Sequence, residues 1–136
     1  MVIIAKSQKE VLDNVLVRGK VFVVEQQIDW KIEFDGLDKD CVLFVAYDNE
    51  TPVGAARLYG NKVGRVATLS THRKKGIAKN IMTEIEKYAL LNNIPTLKLH
   101  AQMPVKAFYE KIGYIPEGDI FYEADIPHIK MTKKIA

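Results

Sequence analysis

The strongest constraint in this sequence is a double change of hydrophobic period between residues 63 and 100. Val63 through Leu69 reads as a strand, and Arg73-Lys74-Lys75-Gly76-Ile77-Ala78 then turns the chain. Apolar residues next recur at helical spacing as Ile77, Ala78, Ile81, Met82, Ile85, Tyr88 and Ala89, with Lys79, Asn80, Thr83, Glu84 and Lys87 opposite. Asn92-Asn93-Ile94-Pro95 stops that helix, and Thr96-Leu97-Lys98-Leu99-His100 alternates as a strand does. A strand, a helix and a strand in this order favour a crossover in which the two strands run parallel and the helix packs on one face. An α/β sheet therefore sits at the centre of the fold.

The flanking segments extend that sheet with antiparallel strands. Cys41 to Tyr47 is a continuous apolar run, Asp48-Asn49-Glu50-Thr51-Pro52 supplies turn chemistry, and Val53 to Tyr59 is a second run, together predicting a hairpin. Gly60-Asn61-Lys62 leads from it into the strand Val63 to Leu69, which the pattern buries on both faces. Upstream, Val2 to Ala5 reads as a short strand. Ser7-Gln8-Lys9-Glu10 matches a capping box that starts a helix, whose apolar face is expected from Val11, Leu12, Val15 and Leu16. Gly19 is expected to end or kink that helix before Val21-Phe22-Val23-Val24. From Glu25 to Asp40, acidic residues surround Trp30 and Phe34, a pattern that reads as a short helix and loops. Downstream, Pro104 suits the first turn of a helix carrying Val105, Phe108, Tyr109 and Ile112 and stopping at Gly113. Tyr114-Ile115 and Ile126 to Met131 are candidate strands. At 136 residues all of this fits one domain, 1–136, with a mixed and mostly antiparallel sheet and helices on both faces.

Several function classes fall away on charge and motif. Twenty basic residues against 17 acidic ones leave a mild positive charge, short of the concentrated basic surface of a nucleic-acid binder, while small anionic ligands remain suitable. No phosphate-binding loop of the Gly-Lys-Ser/Thr type and no Gly-x-Gly-x-x-Gly is present, and three dispersed histidines make no zinc motif, so no metal site is expected. Cys41 lies in an apolar run with no adjacent base, as a core residue does rather than a nucleophile. Met1 to Lys6 is too short an apolar stretch for a signal peptide or membrane span, which makes the cytoplasm the expected compartment and a membrane partner unexpected.

The chemistry concentrates at the turn. A helix N-terminus presents unpaired amides and partial positive charge, so a tight turn of small residues there can wrap a pyrophosphate with main-chain donors. Gly76 and Ala78 permit the approach, and Arg73, Lys74, Lys75 and Lys79 surround it with cations. Taken alone, the same residues also read as an ordinary solvated basic helix start.

Arg73, two residues, Gly76, one residue and Ala78 match the signature of the GNAT superfamily of N-acetyltransferases, which the chain resembles. The strand Gly64 to Leu69 precedes the turn, and Ala107-Phe108-Tyr109-Glu110-Lys111-Ile112-Gly113-Tyr114 looks like the family's later helix-and-strand block. Val21-Phe22-Val23-Val24-Glu25-Gln26, His100-Ala101-Gln102 and Ile126-Pro127-His128 resemble, more narrowly, the ElaA/YjcF-like branch, so the similarity spans nearly the whole chain.

The resemblance implies a central sheet with a splayed parallel strand pair, acetyl-coenzyme A as co-substrate, and transfer to a small-molecule amine by direct attack. A non-catalytic acetyl-coenzyme A binding module is the alternative, and a homodimer is left open. It implies that Val66, Ala67 and Thr68 offer a main-chain amide to the thioester carbonyl, and that Arg73, Lys74, Lys75, Gly76, Ile77, Ala78 and Lys79 hold the pyrophosphate. It also places Phe108 and Gln102 beside the cofactor, Gln102 standing where many members carry asparagine. Tyr109 matches the tyrosine that protonates the departing thiolate. An alkylammonium keeps its proton up to a pKa of roughly 10, so a base must free the amine, and Glu25, His100 and His128 are the candidates. Glu33, Asp35 and Asp38 read either as a solvated loop or as negative charge that draws a cationic amine.

Overall fold

Seven strands form one sheet in the computed structural model, which describes residues 1–136. The capped helix α1 (Gln8–Arg18) follows strand β1 (Val2–Ile4), and α2 (Trp30–Glu33) precedes β2 (Val42–Asp48), β3 (Thr51–Tyr59) and β4 (Lys62–Thr68). Helix α3 (Ile77–Leu91) crosses to β5 (Thr96–Gln102), and the short α4 (Lys106–Lys111) leads to β6 (Ile115–Glu123) and β7 (Ile126–Lys134). The strand order is β1-β2-β3-β4-β5-β7-β6, and every neighbouring pair is antiparallel except β4 with β5. The parallel crossover read from the period change is thus the hinge of the whole sheet.

That parallel pair is brief. Only Lys62 faces Lys98 and Val63 faces Leu99; past Val63 the two strands separate. The cause lies on the other edge of β4, where Gly64 pairs with Arg57 and Ala67 with Ala55, so that Arg65 and Val66 together oppose Ala56 alone. This is a β-bulge, and Arg65 adopts φ +55° within it. A bulge bends and twists its strand, here away from β5.

The larger core lies between the sheet and α3 with α4. It joins Phe44, Ala56, Leu58, Val63, Leu97, Leu99 and Met131 to Ile81, Met82, Ile85 and Ala89 of α3 and Tyr109 of α4. Helix α3 sits close because Gly54 on β3 has no side chain: a Cβ there would lie 2.8 Å from Ile77 Cγ2 and 2.9 Å from Ile81 Cδ1. On the opposite face, α1 packs on β2, β3 and β4, and Val17, Val21 and Phe22 meet Ala55 and Ala67.

The capping box forms as read, with Ser7 accepting from the Glu10 amide at 3.1 Å and Glu10 accepting from the Ser7 amide at 3.1 Å. The face of α1 differs from expectation. Leu12 and Leu16 are exposed, and the buried positions are Asn14, Val17 and Arg18. Asn14 reaches the sheet through hydrogen bonds from Nδ2 to the carbonyls of Phe44 (2.9 Å) and Ala56 (3.1 Å), so polar pairing rather than apolar spacing orients the helix. Gly19 ends the α-winding as expected, since α1 stops at Arg18, but its φ of −62° and ψ of −44° stay helical and the chain runs straight on into a π segment from Gly19 to Glu25, closed by the Gln26 amide on the Val21 carbonyl.

The acidic set is also not a solvated loop. Arg18 donates to Glu33 at 2.9 Å and to both carboxylate oxygens of Asp38, at 2.9 and 3.1 Å. Arg57 pairs with Asp35 at 2.7 Å and Asp38 at 2.9 Å, and Arg65 lies 3.1 Å from Glu33. Three arginines meet three carboxylates in a charge-balanced cluster, so these acids are spent internally and leave no surplus charge to draw a cationic amine. The tail differs in length: β6 runs from Ile115 to Glu123 as a largely exposed edge strand with an irregular register between Glu117 and Phe121.

Candidate functional site

The turn before α3 is built from alternating backbone conformations. Lys74 has φ +62° and Gly76, the N-cap of α3, has φ +81°. No residue side chain caps the helix, and the first amide to bond back is that of Asn80, on the Gly76 carbonyl at 3.0 Å. The main-chain N–H groups of Arg73 through Lys79 consequently donate to no protein group. Seven consecutive free amides at the positive end of a helix of 15 residues form a concave anion cradle. A Cβ on Gly76 would meet no protein atom within 4 Å, so the space in front of the turn is open. The residues present therefore fit a pyrophosphate. Lys74, Lys75 and Lys79 are exposed around it, and Ile77 and Ala78 are half-buried under it.

Arg73 stands apart from the other cations. Its Nη1 and Nη2 donate to the two carboxylate oxygens of Glu25, each at 2.6 Å, and its Nε donates to the Thr68 carbonyl at 3.0 Å. The guanidinium links the end of β4 to the end of the π segment. The Arg73 hydrogen bond holds the Glu25 carboxyl below its ordinary pKa, despite a small opposing effect of burial.

From the turn, a cleft of about 540 Å³ runs between α3 and α4, lined by Lys79, Met82, Thr83, Glu86, Phe108 and Lys111 among others. Next to Phe108 on α4, Tyr109 is buried in the core, its ring set edge-on to Phe108 (centroids 5.0 Å apart) and to Tyr114 (5.9 Å). Burial alone pushes the Tyr109 phenol well above its usual pKa, so it stays protonated throughout the neutral range. Its hydroxyl makes no hydrogen bond to another protein group.

The parallel strands part between this cleft and the other face of the sheet. Val66, Ala67 and Thr68 lie on the stretch of β4 that has left β5, so the edge of β4 facing the gap has no strand partner there. On β5, Leu97, Leu99 and Ala101 point into the core, which sends Lys98, His100 and Gln102 to the opposite face. There Gln102 exchanges amide hydrogen bonds with Gln26, at 2.9 and 3.4 Å, tying the π segment across the gap. His128 pairs in register with Gln102, and His100 with Lys130. Phe121 joins the two histidines, edge-on to His100 (4.9 Å) and stacked on His128 (6.0 Å).

The hydrogen bonds of the histidines define their free nitrogens. His128 Nδ1 lies 2.7 Å from the Ile126 carbonyl, which can only accept, so Nδ1 carries the proton and Nε2 is the acceptor of the neutral ring. His100 Nδ1 lies 2.7 Å from Glu123, with the same consequence when that carboxylate is ionised. Burial, with help from Lys62, lowers the His100 pKa against the opposing pull of Glu123. The structure thus brings His100, His128 and Gln102 together on one face, sets Tyr109 and Phe108 on the other, and leaves Glu25 at the Arg73 turn. Sequence reading missed Phe121 and Glu123, which lie in a strand disguised by Pro116, Gly118 and Asp119.

No group of three or more His, Cys, Asp or Glu side chains is placed to hold a metal ion, and no helix is long and apolar enough to cross a membrane.

Comparison with known proteins agrees with this geometry. Residues 5–135 match the model of the acetyltransferase (GNAT) domain. The Bacillus subtilis protein YjcF, described as an uncharacterized N-acetyltransferase, is 37% identical over 137 residues, covering 96% of this chain and 97% of its own. Among solved structures, an acyl-CoA N-acyltransferase from Pseudomonas aeruginosa superposes with a TM-score of 0.87 at 26% identity, covering 98% of each chain. Escherichia coli ElaA superposes with a TM-score of 0.86 at 25% identity, covering 98% of this chain and 99% of its own.

Proposed function

The chain belongs to the GNAT acetyltransferase family, in its ElaA/YjcF-like branch, and from that premise we propose that it moves an acetyl group from acetyl-coenzyme A to a primary amine by direct attack within a ternary complex. The observation that carries this reading is the cradle of free amides at Arg73 to Lys79, which follows directly on the stretch of β4 that has left β5 and opens at Lys79 onto the cleft between α3 and α4. When bound, acetyl-coenzyme A supplies an activated acyl carbon and a thiolate leaving group.

The residues then divide the work. The amides from Lys74 to Lys79 hold the pyrophosphate, with Lys74, Lys75 and Lys79 neutralising charge from the rim, while Arg73 braces the turn. A main-chain amide among Val66, Ala67 and Thr68, fixed before reaction, donates to the thioester carbonyl oxygen where negative charge develops. Phe108 flanks the pantetheine arm and Gln102, through Gln26, closes the gap from the acceptor side. Tyr109 donates a hydrogen bond to sulfur as charge builds there. Its raised pKa makes full transfer to a thiolate of pKa ~8.5 uphill, so the hydroxyl acts chiefly by hydrogen bonding and solvent completes protonation.

For the base, His100 is the best placed of the three candidates. Its Nδ1 is oriented by Glu123, its Nε2 is free, and its lowered pKa keeps it neutral at pH 7. His128 has the same tautomer but is more deeply buried behind Phe121, and Glu25 loses basicity to Arg73. The acceptor is a small-molecule amine admitted over the β5 and β7 face.

The test is thermal stability with and without acetyl-coenzyme A, followed by thiol release against a panel of amines. Stabilisation with amine-dependent thiol release is expected. Stabilisation without turnover on any amine would replace transfer by a binding role, and no stabilisation would remove the cofactor from the account.

A further inference from the structure

Arg65 occupies the least comfortable backbone position on β4. A non-glycine residue with positive φ carries backbone strain, which persists only where surrounding structure holds it. Here the holding groups are visible. Arg65 Nε donates to the Glu33 carbonyl at 3.2 Å and lies 3.1 Å from the Glu33 carboxylate; Nη2 donates to the Ile32 carbonyl at 3.1 Å and to Asp35 at 3.3 Å. The guanidinium therefore caps the C-terminal end of α2 while the backbone of the same residue forms the bulge.

Its anchor cannot drift. Glu33 is held in turn by Arg18, and both side chains are almost fully excluded from solvent, at 3% and 0%. Asp35 is gripped by both Nη atoms of Arg57, at 2.9 and 2.7 Å, and Arg57 is the partner of Gly64 in the β3–β4 ladder, the residue just before the bulge. The bulge is thus clamped from both sides by one buried cluster rooted in α1, α2 and β3.

We propose that Arg65 is a positioning residue for acyl transfer: by tying the β4 bulge to α2, it keeps those main-chain amides of the Val66–Thr68 stretch that face away from β3 aimed into the gap between β4 and β5. The proposal rests on the reading of those amides as donors to the thioester carbonyl. Arg65 touches neither co-substrate; it acts through the backbone of the three residues that follow it. Its effect therefore falls first on the carbonyl-polarising step, because the pyrophosphate cradle has its own brace, Arg73 on Glu25 and on the Thr68 carbonyl.

The experiment compares Arg65→Ala and Arg65→Lys with the parent protein. Three quantities are read: kcat for thiol release, the affinity for acetyl-coenzyme A, and the infrared stretching frequency of the bound thioester carbonyl, isolated with a 13C label. In the parent the carbonyl band is expected below its position in free acetyl-coenzyme A. Arg65→Ala is expected to return the band toward the free value and lower kcat at least tenfold, with affinity within about threefold, since each tenfold in rate is a small change in barrier. Arg65→Lys, which keeps the charge but loses the planar fork, is expected to fall between the two on both readouts. If Arg65→Ala does not fold, the lysine variant decides alone. A variant with parental kcat and parental carbonyl frequency overturns the proposal, as does one that loses affinity and rate together with no change in frequency. A parent protein that binds acetyl-coenzyme A without any carbonyl shift instead refutes the amide-donor reading itself, and the role of Arg65 with it.

Discussion

Replacing Tyr109 by phenylalanine separates chemistry from packing more cleanly than any other single change in this site. The ring is buried between Phe108 and Tyr114 and belongs to the core, so truncation to alanine would cost on the order of 3–5 kcal/mol of stability and confuse any kinetic result. The hydroxyl, in contrast, has no hydrogen-bond partner in the protein. Its removal orphans nothing, and the expected change in stability is within about 0.5 kcal/mol. On the proposed function the same hydroxyl would face a sulfur gaining negative charge, and a hydrogen bond to a charged group is worth about 1.5–3 kcal/mol. At ~1.4 kcal/mol per decade this predicts a fall in kcat of roughly 10- to 150-fold. Steady-state thiol release gives kcat, isothermal calorimetry gives the affinity for acetyl-coenzyme A, and a thermal melt reports the fold. The expected pattern is a slow, stable enzyme with unaltered cofactor affinity. A Tyr109→Phe protein within twofold of the parent kcat at every pH would show that solvent alone assists the leaving sulfur.

Three further outcomes follow from the geometry. Gly76→Val puts a β-branched residue at φ +81°, and because no protein atom lies near a Cβ there, the main effects are backbone strain and obstruction of the cradle; affinity for acetyl-coenzyme A should fall tenfold or more in a folded protein, and unchanged affinity by calorimetry would move the pyrophosphate elsewhere. His100→Gln should abolish the acid limb of the kcat/KM profile, which in the parent falls as pH drops through the lowered His100 pKa, below 6.5; an acid limb that survives in the variant would assign the base to another group. Acidification should melt the arginine cluster: the Arg57 hydrogen bond holds Asp35 well below the ordinary carboxylate pKa, and at Asp38 the arginines outweigh burial in the same direction. Stability from these two groups is complete above the unfolded pKa of about 3.9 and is lost as pH falls through their folded values, while Glu33, raised by burial, contributes with the opposite sign. A melting temperature that rises steadily below about pH 4 would contradict this assignment.

What could be read from sequence was local. The capping box at Ser7, the period of α3 and the hairpin at Asp48 are each decided by neighbours within a few residues, and the structure reproduces them. The buried face of α1 was illegible because Asn14 bonds to groups 30 and 42 residues away, and Arg18 to acids 15 and 20 residues away. No pattern within the helix signals such partners. The same holds for Glu33, Asp35 and Asp38, whose balancing arginines are scattered over α1, β3 and β4. Strand β6 was hidden by residues that oppose regular pairing, and with it Phe121 and Glu123. In the β4 bulge the positive φ falls on Arg65 rather than on the neighbouring Gly64, so the one compositional hint in that strand, Gly64, does not tell which residue bends it away from β5.

Gly54 gives the site a remote dependency. It contributes no atom to the turn, yet the bare Cα sets how near the first turn of α3 lies to β3, through Ile77 and Ile81. A methyl group added there must lift the start of the helix by tenths of an ångström, and the free amides ride on that start. In a mutational screen scored by cofactor affinity, position 54 would register as part of the binding site although it touches no ligand. Functional maps of this chain therefore need a packing control before sensitivity at any position is taken for contact.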